Sequence, residues 1–116
     1  MLSGRILTIL CLVSGVVFGD QGAYFETHVR PLLVAHCYEC HSAEEGSKIK
    51  GGLRLDHREG WQVGGDSGAA LIPGDSRDSL LIKAVHYRDP ELQMPPKKKL
   101  AKADIAVLER WISEGA

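Results

Sequence analysis

Apolar residues recur at helical spacing near both ends of the chain. Phe25, Val29, Leu32 and Leu33 share one face of a segment running from Tyr24 to His36. Pro31 lies inside it, so the helix is expected to kink there or to restart with Pro31 in its first turn. Ile105, Leu108, Trp111 and Ile112 line a second face at i, i+3, i+6 and i+7, predicting a helix from about Lys102 to Glu114. Gly115 is placed to stop it, while Ala101 stands where Ser or Thr would cap its start. A shorter helix is predicted through Leu80, Leu81, Ala84 and Val85. It follows the Pro73-Gly74 turn, with Asp75, Ser76 and Asp78 as candidate N-caps. Between these elements lie two loops. Seven glycines (Gly46, Gly51, Gly52, Gly60, Gly64, Gly65 and Gly68) argue against a long helix between Gly46 and Gly68, where Leu53, Leu55, Trp61 and Val63 are the apolar points. Tyr87 to Lys99 forms the other loop and contains Met94-Pro95-Pro96. The pattern predicts an all-α domain of three to four helices with long glycine-rich loops. A structureless loop of this length is unusual in a compact domain unless it wraps a bound group; otherwise it is a linker.

The first residues follow a different pattern. Arg5 precedes an apolar run of 13 residues, Ile6 to Phe18, shorter than the roughly 20 needed to span a membrane. Val17 and Gly19 are small enough for the −3 and −1 positions of a cleavage site before Asp20. Residues 1–19 are therefore expected to be a signal peptide and residues 20–116 the mature domain. The competing reading is an uncleaved anchor or a buried strand. Cleavage would remove Cys11 and leave two cysteines, Cys37 and Cys40, in an exported protein of the periplasm or cell-envelope space.

Composition narrows the choice further. The 14 basic and 15 acidic residues nearly balance, which does not suggest a nucleic-acid partner. Hydrophobic residues make up 44% of the chain, but only 6% are aromatic, so a cofactor can supply the large flat apolar body that a small core lacks.

Cys37-Tyr38-Glu39-Cys40-His41 reads C-x-x-C-H, the pattern of c-type haem attachment. Cysteines three apart on a helical turn project from the same side and can reach two substituents on one porphyrin edge. The next residue, His41, can then approach the iron. Competing readings are a thioredoxin-like redox pair, a zinc site completed by His57 or His86, and a plain disulfide. For the second axial position Met94 is the first candidate, held in a loop stiffened by prolines. The other possibilities are His28, His36, His57 or His86, an open iron, or a Met94 that fills a packing gap. Lys97, Lys98 and Lys99 follow directly, as a steering patch for an acidic redox partner or as a solvated loop. Arg54 and Trp61 are candidates for hydrogen bonds to haem propionates. No nucleophile–base constellation or phosphate loop stands out, so no catalytic residue is assigned.

The chain from about Phe25 to Ala116 resembles the planctomycete-type cytochrome c domain, a branch of the small class I-like cytochromes c. The residues that carry the likeness are Phe25-Glu26, Val29-Arg30-Pro31-Leu32-Leu33, Cys37-Tyr38-Glu39-Cys40-His41, Lys50-Gly51-Gly52-Leu53-Arg54-Leu55-Asp56 and Gly64-Gly65-Asp66-Ser67-Gly68. Pro73-Gly74-Asp75, Ser79-Leu80-Leu81, Met94-Pro95-Pro96, Trp111-Ile112 and Gly115-Ala116 complete the set. The resemblance implies a mostly helical fold around one haem c, bound through Cys37 and Cys40 with His41 and Met94 as axial ligands. It implies that the first and last helices pack together near the attachment point, and that such a domain often heads a longer exported polypeptide. The expected role is a one-electron carrier or electron-entry module serving a redox partner protein, with no stable membrane insertion after signal cleavage. The alternatives are a haem-based sensor or ligand binder with an open sixth position and, last, a redox enzyme.

Overall fold

The computed structural model describes residues 20–44 and 46–116. The expected leader over residues 1–19, with Cys11, lies outside the described residues.

The first helical segment begins before Tyr24 and is interrupted in register, not in direction. Helix α1 (Asp20–Tyr24) passes into a π-helical stretch, Phe25–Val29, and then into α2 (Arg30–His36). Tyr24 and Val29 keep right-handed helical angles at the two junctions. The Arg30 N–H donates to the Phe25 carbonyl, five residues back. Pro31 lies in the first turn of α2, as one of the two sequence expectations had it. The widened turn before it gives the proline ring room where a regular turn would clash.

In the glycine-rich region the expected long loop is partly ordered as helix, which corrects the sequence reading. A 3-10 turn, Lys50–Gly52, is followed by α3 (Arg58–Val63). His57 caps α3, its Nδ1 accepting from the Gly60 N–H at 2.6 Å. Trp61 and Leu55 are buried, but Val63 points to solvent. Tight packing explains two of the glycines. A Cβ on Gly65 would lie 2.3 Å from the Gly51 carbonyl oxygen, and one on Gly64 would meet the Gly68 carbonyl at 1.8 Å.

Helix α4 (Leu80–Val85) buries Leu81, Ile82, Ala84 and Val85. None of the three expected caps starts it. Ser79 is the N-cap residue, and its fully buried hydroxyl instead donates to the Asp75 carbonyl (2.7 Å) and accepts from the Ile72 N–H (2.8 Å). Asp75 serves the preceding turn through the Asp78 N–H. Helix α5 (Lys102–Ser113) buries the predicted face, Ile105, Leu108, Trp111 and Ile112. Ala101 gives it no side-chain cap, and Gly115 turns the chain away at φ 108°.

The first and last helices pack together. Phe25 lies 5.5 Å from Trp111 between ring centroids, and Trp61 meets Trp111 edge-on at 5.1 Å. Tyr24 donates to the Val107 carbonyl, and the Arg110 guanidinium stacks 4.4 Å over the Tyr24 ring. Val29, Leu33, Leu108 and Ile112 are almost wholly buried around this crossing. Each such side chain contributes about 1.5–3 kcal/mol by leaving water. His86, at the end of α4, ties it to α5 through Glu109 at 2.7 Å. Among the described residues there is no strand, only isolated antiparallel bridges that close turns.

Candidate functional site

Beside this core the molecule holds an apolar cleft of about 200 Å³. One wall is the segment that leaves α2. The Cys37 N–H donates to the Leu33 carbonyl, and the Cys40 and His41 N–H groups both donate to the Cys37 carbonyl, so Cys37 to His41 forms one further tight turn. Below it, the buried Ser42 hydroxyl donates to the Tyr38 carbonyl at 2.6 Å and fixes the turn from inside. Cys37, Cys40 and His41 all line the cleft.

The 3-10 turn and the residues after it hold this wall in place. The Lys50 N–H donates to the Cys40 carbonyl, and the Leu55 N–H to the His41 carbonyl at 2.7 Å. The Leu53 carbonyl lies 3.2 Å from His41 Nδ1. Nδ1 is the protonated nitrogen that donates to that carbonyl, which leaves the Nε2 lone pair for a metal; ligating histidines are oriented in this way as a rule. Asp56 adds a further tie. It accepts from the Ala43 N–H at 3.0 Å and from two of the three Arg54 guanidinium nitrogens, Nε at 3.0 Å and an Nη at 2.9 Å. The Arg54 guanidinium holds the Asp56 carboxyl down at about 2, with the Ala43 N–H helping.

Leu53, Leu55, the Gly65–Gly68 turn and Ala70 supply a second wall, and Leu81, Ala84 and Val85 of α4 with the loop that follows supply a third. Met94, Pro95 and Pro96 reach the same cleft. The Met94 N–H donates to the Ala84 carbonyl at 3.1 Å, and the Tyr87 hydroxyl donates to the Pro95 carbonyl. Met94 itself is 37% exposed, so the residue lies at the cleft's rim and not in the core.

The four predicted residues therefore share one cleft, whereas several of the alternatives are drawn elsewhere. His57 is engaged as the α3 cap and His86 by Glu109, so neither completes a zinc site with Cys37, Cys40 and His41. Among the described residues no group of three or more His, Cys, Asp or Glu side chains is arranged to hold a metal ion. His28 and His57 do not line the cleft; His36 does, at its edge and largely exposed. Cys37 and Cys40 are free thiols. Burial, with the neighbouring Cys40, pushes the Cys37 thiol up to about 12, the opposite of the low value a redox-active thiolate needs. Arg54 is committed to Asp56, and Trp61 is buried against Phe25 and Trp111 with its Nε1 unpartnered; neither lines the cleft.

The lining suits a large flat apolar group with a central metal. It is almost wholly carbon, with two thiols a helical turn apart and an oriented imidazole on one segment and a thioether on another. What sequence reasoning missed are the residues that act through main chain. Leu53 orients His41 by its carbonyl, and Ala84 holds Met94 the same way; a carbonyl has no signature in side-chain spacing. Asp56 and Tyr87 had visible side chains but no partner until the fold supplied one.

An all-α domain with this donor set is that of a c-type cytochrome. The model of the family described as Planctomycete cytochrome C matches residues 37–98, more than half of the chain, and the chain belongs to that family. Membership implies a covalently held haem c and a part in electron transfer. No curated protein and no solved structure matches the chain.

Proposed function

We propose that residues 20–116 form a one-electron carrier or electron-entry domain with a single haem c. Cys37 and Cys40 form the two thioethers, and His41 and Met94 are the axial ligands. The observation that carries this reading is the convergence of these four side chains on one apolar cleft, with His41 Nδ1 already engaged by the Leu53 carbonyl. When bound, the haem supplies reversible one-electron chemistry. The chain's own part is to exclude water with Leu55, Leu81 and Val85, to orient the imidazole, and to hold a neutral thioether donor, which favours the reduced state. Exposed Lys97, Lys98 and Lys99 follow the cleft-lining Pro95 and Pro96 and suit an acidic redox partner. Export through a leader at residues 1–19, to the periplasm or cell-envelope space, fits the compartment in which haem c is attached. Among the described residues no helix is long and apolar enough to cross a membrane. A second reading, a ligand-binding haem module with an open sixth position, draws on the partial exposure of Met94.

Residues 1–116 co-produced with haem-attachment machinery decide between them. Haem retained on a denaturing gel, a low-spin reduced spectrum and the weak far-red band of sulfur-bound ferric iron are expected. Met94→Ala abolishes that band and opens the iron to carbon monoxide. Covalent haem with a high-spin wild-type spectrum means the ligand-binding module, and no covalent haem means that the assignment is wrong.

A further inference from the structure

Helix α4 ends in an uncommon way. His86 keeps helical angles, but Tyr87 follows at φ 60°, in the left-handed region. That position after a helix is usually glycine or asparagine, because a Cβ is poorly accommodated there. A bulky aromatic persists in such a conformation only where its surroundings over-determine it, and such positions concentrate at functional sites. Here the surroundings are specific. The half-buried Tyr87 side chain reaches across the loop, and its hydroxyl donates to the carbonyl of Pro95, the residue next to Met94. On the other side, the Ala84 carbonyl accepts from both the Tyr87 N–H (3.3 Å) and the Met94 N–H (3.1 Å). The loop between them is closed on itself by the Asp89–Leu92 bridge and by the Asp89 carboxylate, which accepts from the Glu91 N–H. Met94 is thus pinned from before, at its own N–H, and from after, at Pro95.

We propose that Tyr87 is the positioning residue for Met94. Its hydroxyl holds the Pro95 carbonyl and thereby keeps the thioether turned into the cleft, although Met94 lies at the rim and in a loop. The inference rests on the reading of Met94 as an axial ligand. A glycine in the same place would satisfy the backbone but leave the far side of the methionine untethered.

The test uses the haem-loaded protein and added imidazole, which competes with the thioether for ferric iron. Tyr87→Phe removes only the hydroxyl. Tyr87→Asn also removes it but suits the left-handed backbone, so it is expected to retain or raise thermal stability. Both variants are expected to weaken the far-red sulfur band and to bind imidazole about tenfold more tightly, the equivalent of ~1.4 kcal/mol or one net hydrogen bond. In a Met94→Ala background, which itself binds imidazole more tightly than wild type, adding Tyr87→Phe is expected to change nothing further. An unchanged imidazole affinity in both single variants overturns the proposal. So does an equal increase with Met94 absent, or failure of both variants to load haem, since either means a general structural role. If Met94→Ala leaves the band and the affinity as in wild type, the ligand assignment itself has failed, and Tyr87 has no ligand to position.

Discussion

At the scale of single residues, the site is a set of hydrogen bonds that aim side chains the sequence had already named. The C-x-x-C-H motif identified Cys37, Cys40 and His41 because its chemistry lies in side chains at fixed spacing. The partners that make it a site come from 12 or more residues away, as with Leu53 to His41 and Asp56 to Ala43. Such contacts depend on how the loop returns, which spacing does not encode. Asp56 gives a test with a definite sign. Its carboxyl is held at about 2 in the folded domain against an ordinary 3.8, chiefly by the Arg54 hydrogen bonds. A group depressed on folding contributes stability that is complete above the unfolded value and is lost as pH falls through the folded one. Asp56→Asn is therefore expected to melt about 5 °C below wild type above pH 4, the shift that ~1 kcal/mol gives in a domain of this size. The gap should close as pH falls towards 2. The effect is kept small because the pair is partly open to water. Melting curves of the two proteins across pH 2–7 check this, and a gap that widened in acid would contradict it.

At the scale of elements, strong periodicity was legible and local register was not. Helix α5 lies where its apolar stripe places it, and α2 begins at Arg30 with Pro31 in its first turn, as one sequence alternative had it. Pro31 marked the break, but not that the turn upstream would widen to a π-helix to take it up. Helix α3 was hidden by Gly60 within it and by the glycines on either side. It forms because an imidazole caps it and because Trp61 finds a place between Phe25 and Trp111. The lack of a side-chain cap on α5 was visible in the sequence and holds in the structure, where Ala101 has extended angles suited to a capping residue and no side chain to do it. Ala101→Ser should stabilise the domain by ~0.5–1 kcal/mol, raising the melting temperature by a few degrees with no change in the haem spectrum. Chemical denaturation read by tryptophan fluorescence measures the gain; an unaltered midpoint would show that the first turn is already satisfied.

At the scale of the whole molecule, two parts of the chain meet across a cleft that the protein does not fill with its own side chains. The α1–α2 and α5 crossing makes one compact body. The Met94 loop joins it through α4, whose own ties to α5 include the His86–Glu109 pair. Filling such a cleft adds stability, because the apolar surface facing it stays open to water until a guest covers it. The haem-free domain is thus expected to bind a hydrophobic dye and to melt at lower temperature, with a broader transition, than the haem-loaded one. Calorimetry on both forms tests this, and equal, sharp transitions would mean that the cleft does not depend on its guest. The closure of the methionine loop has another consequence. The chain leaves α4 and comes back to a single atom, the Ala84 oxygen, so the excursion in between contributes its two feet and little else to the placement of Met94. Arg88, Asp89, Pro90 and Glu91 at its tip are exposed. Their number and identity can drift, or be exchanged wholesale, while Met94 stays where it is.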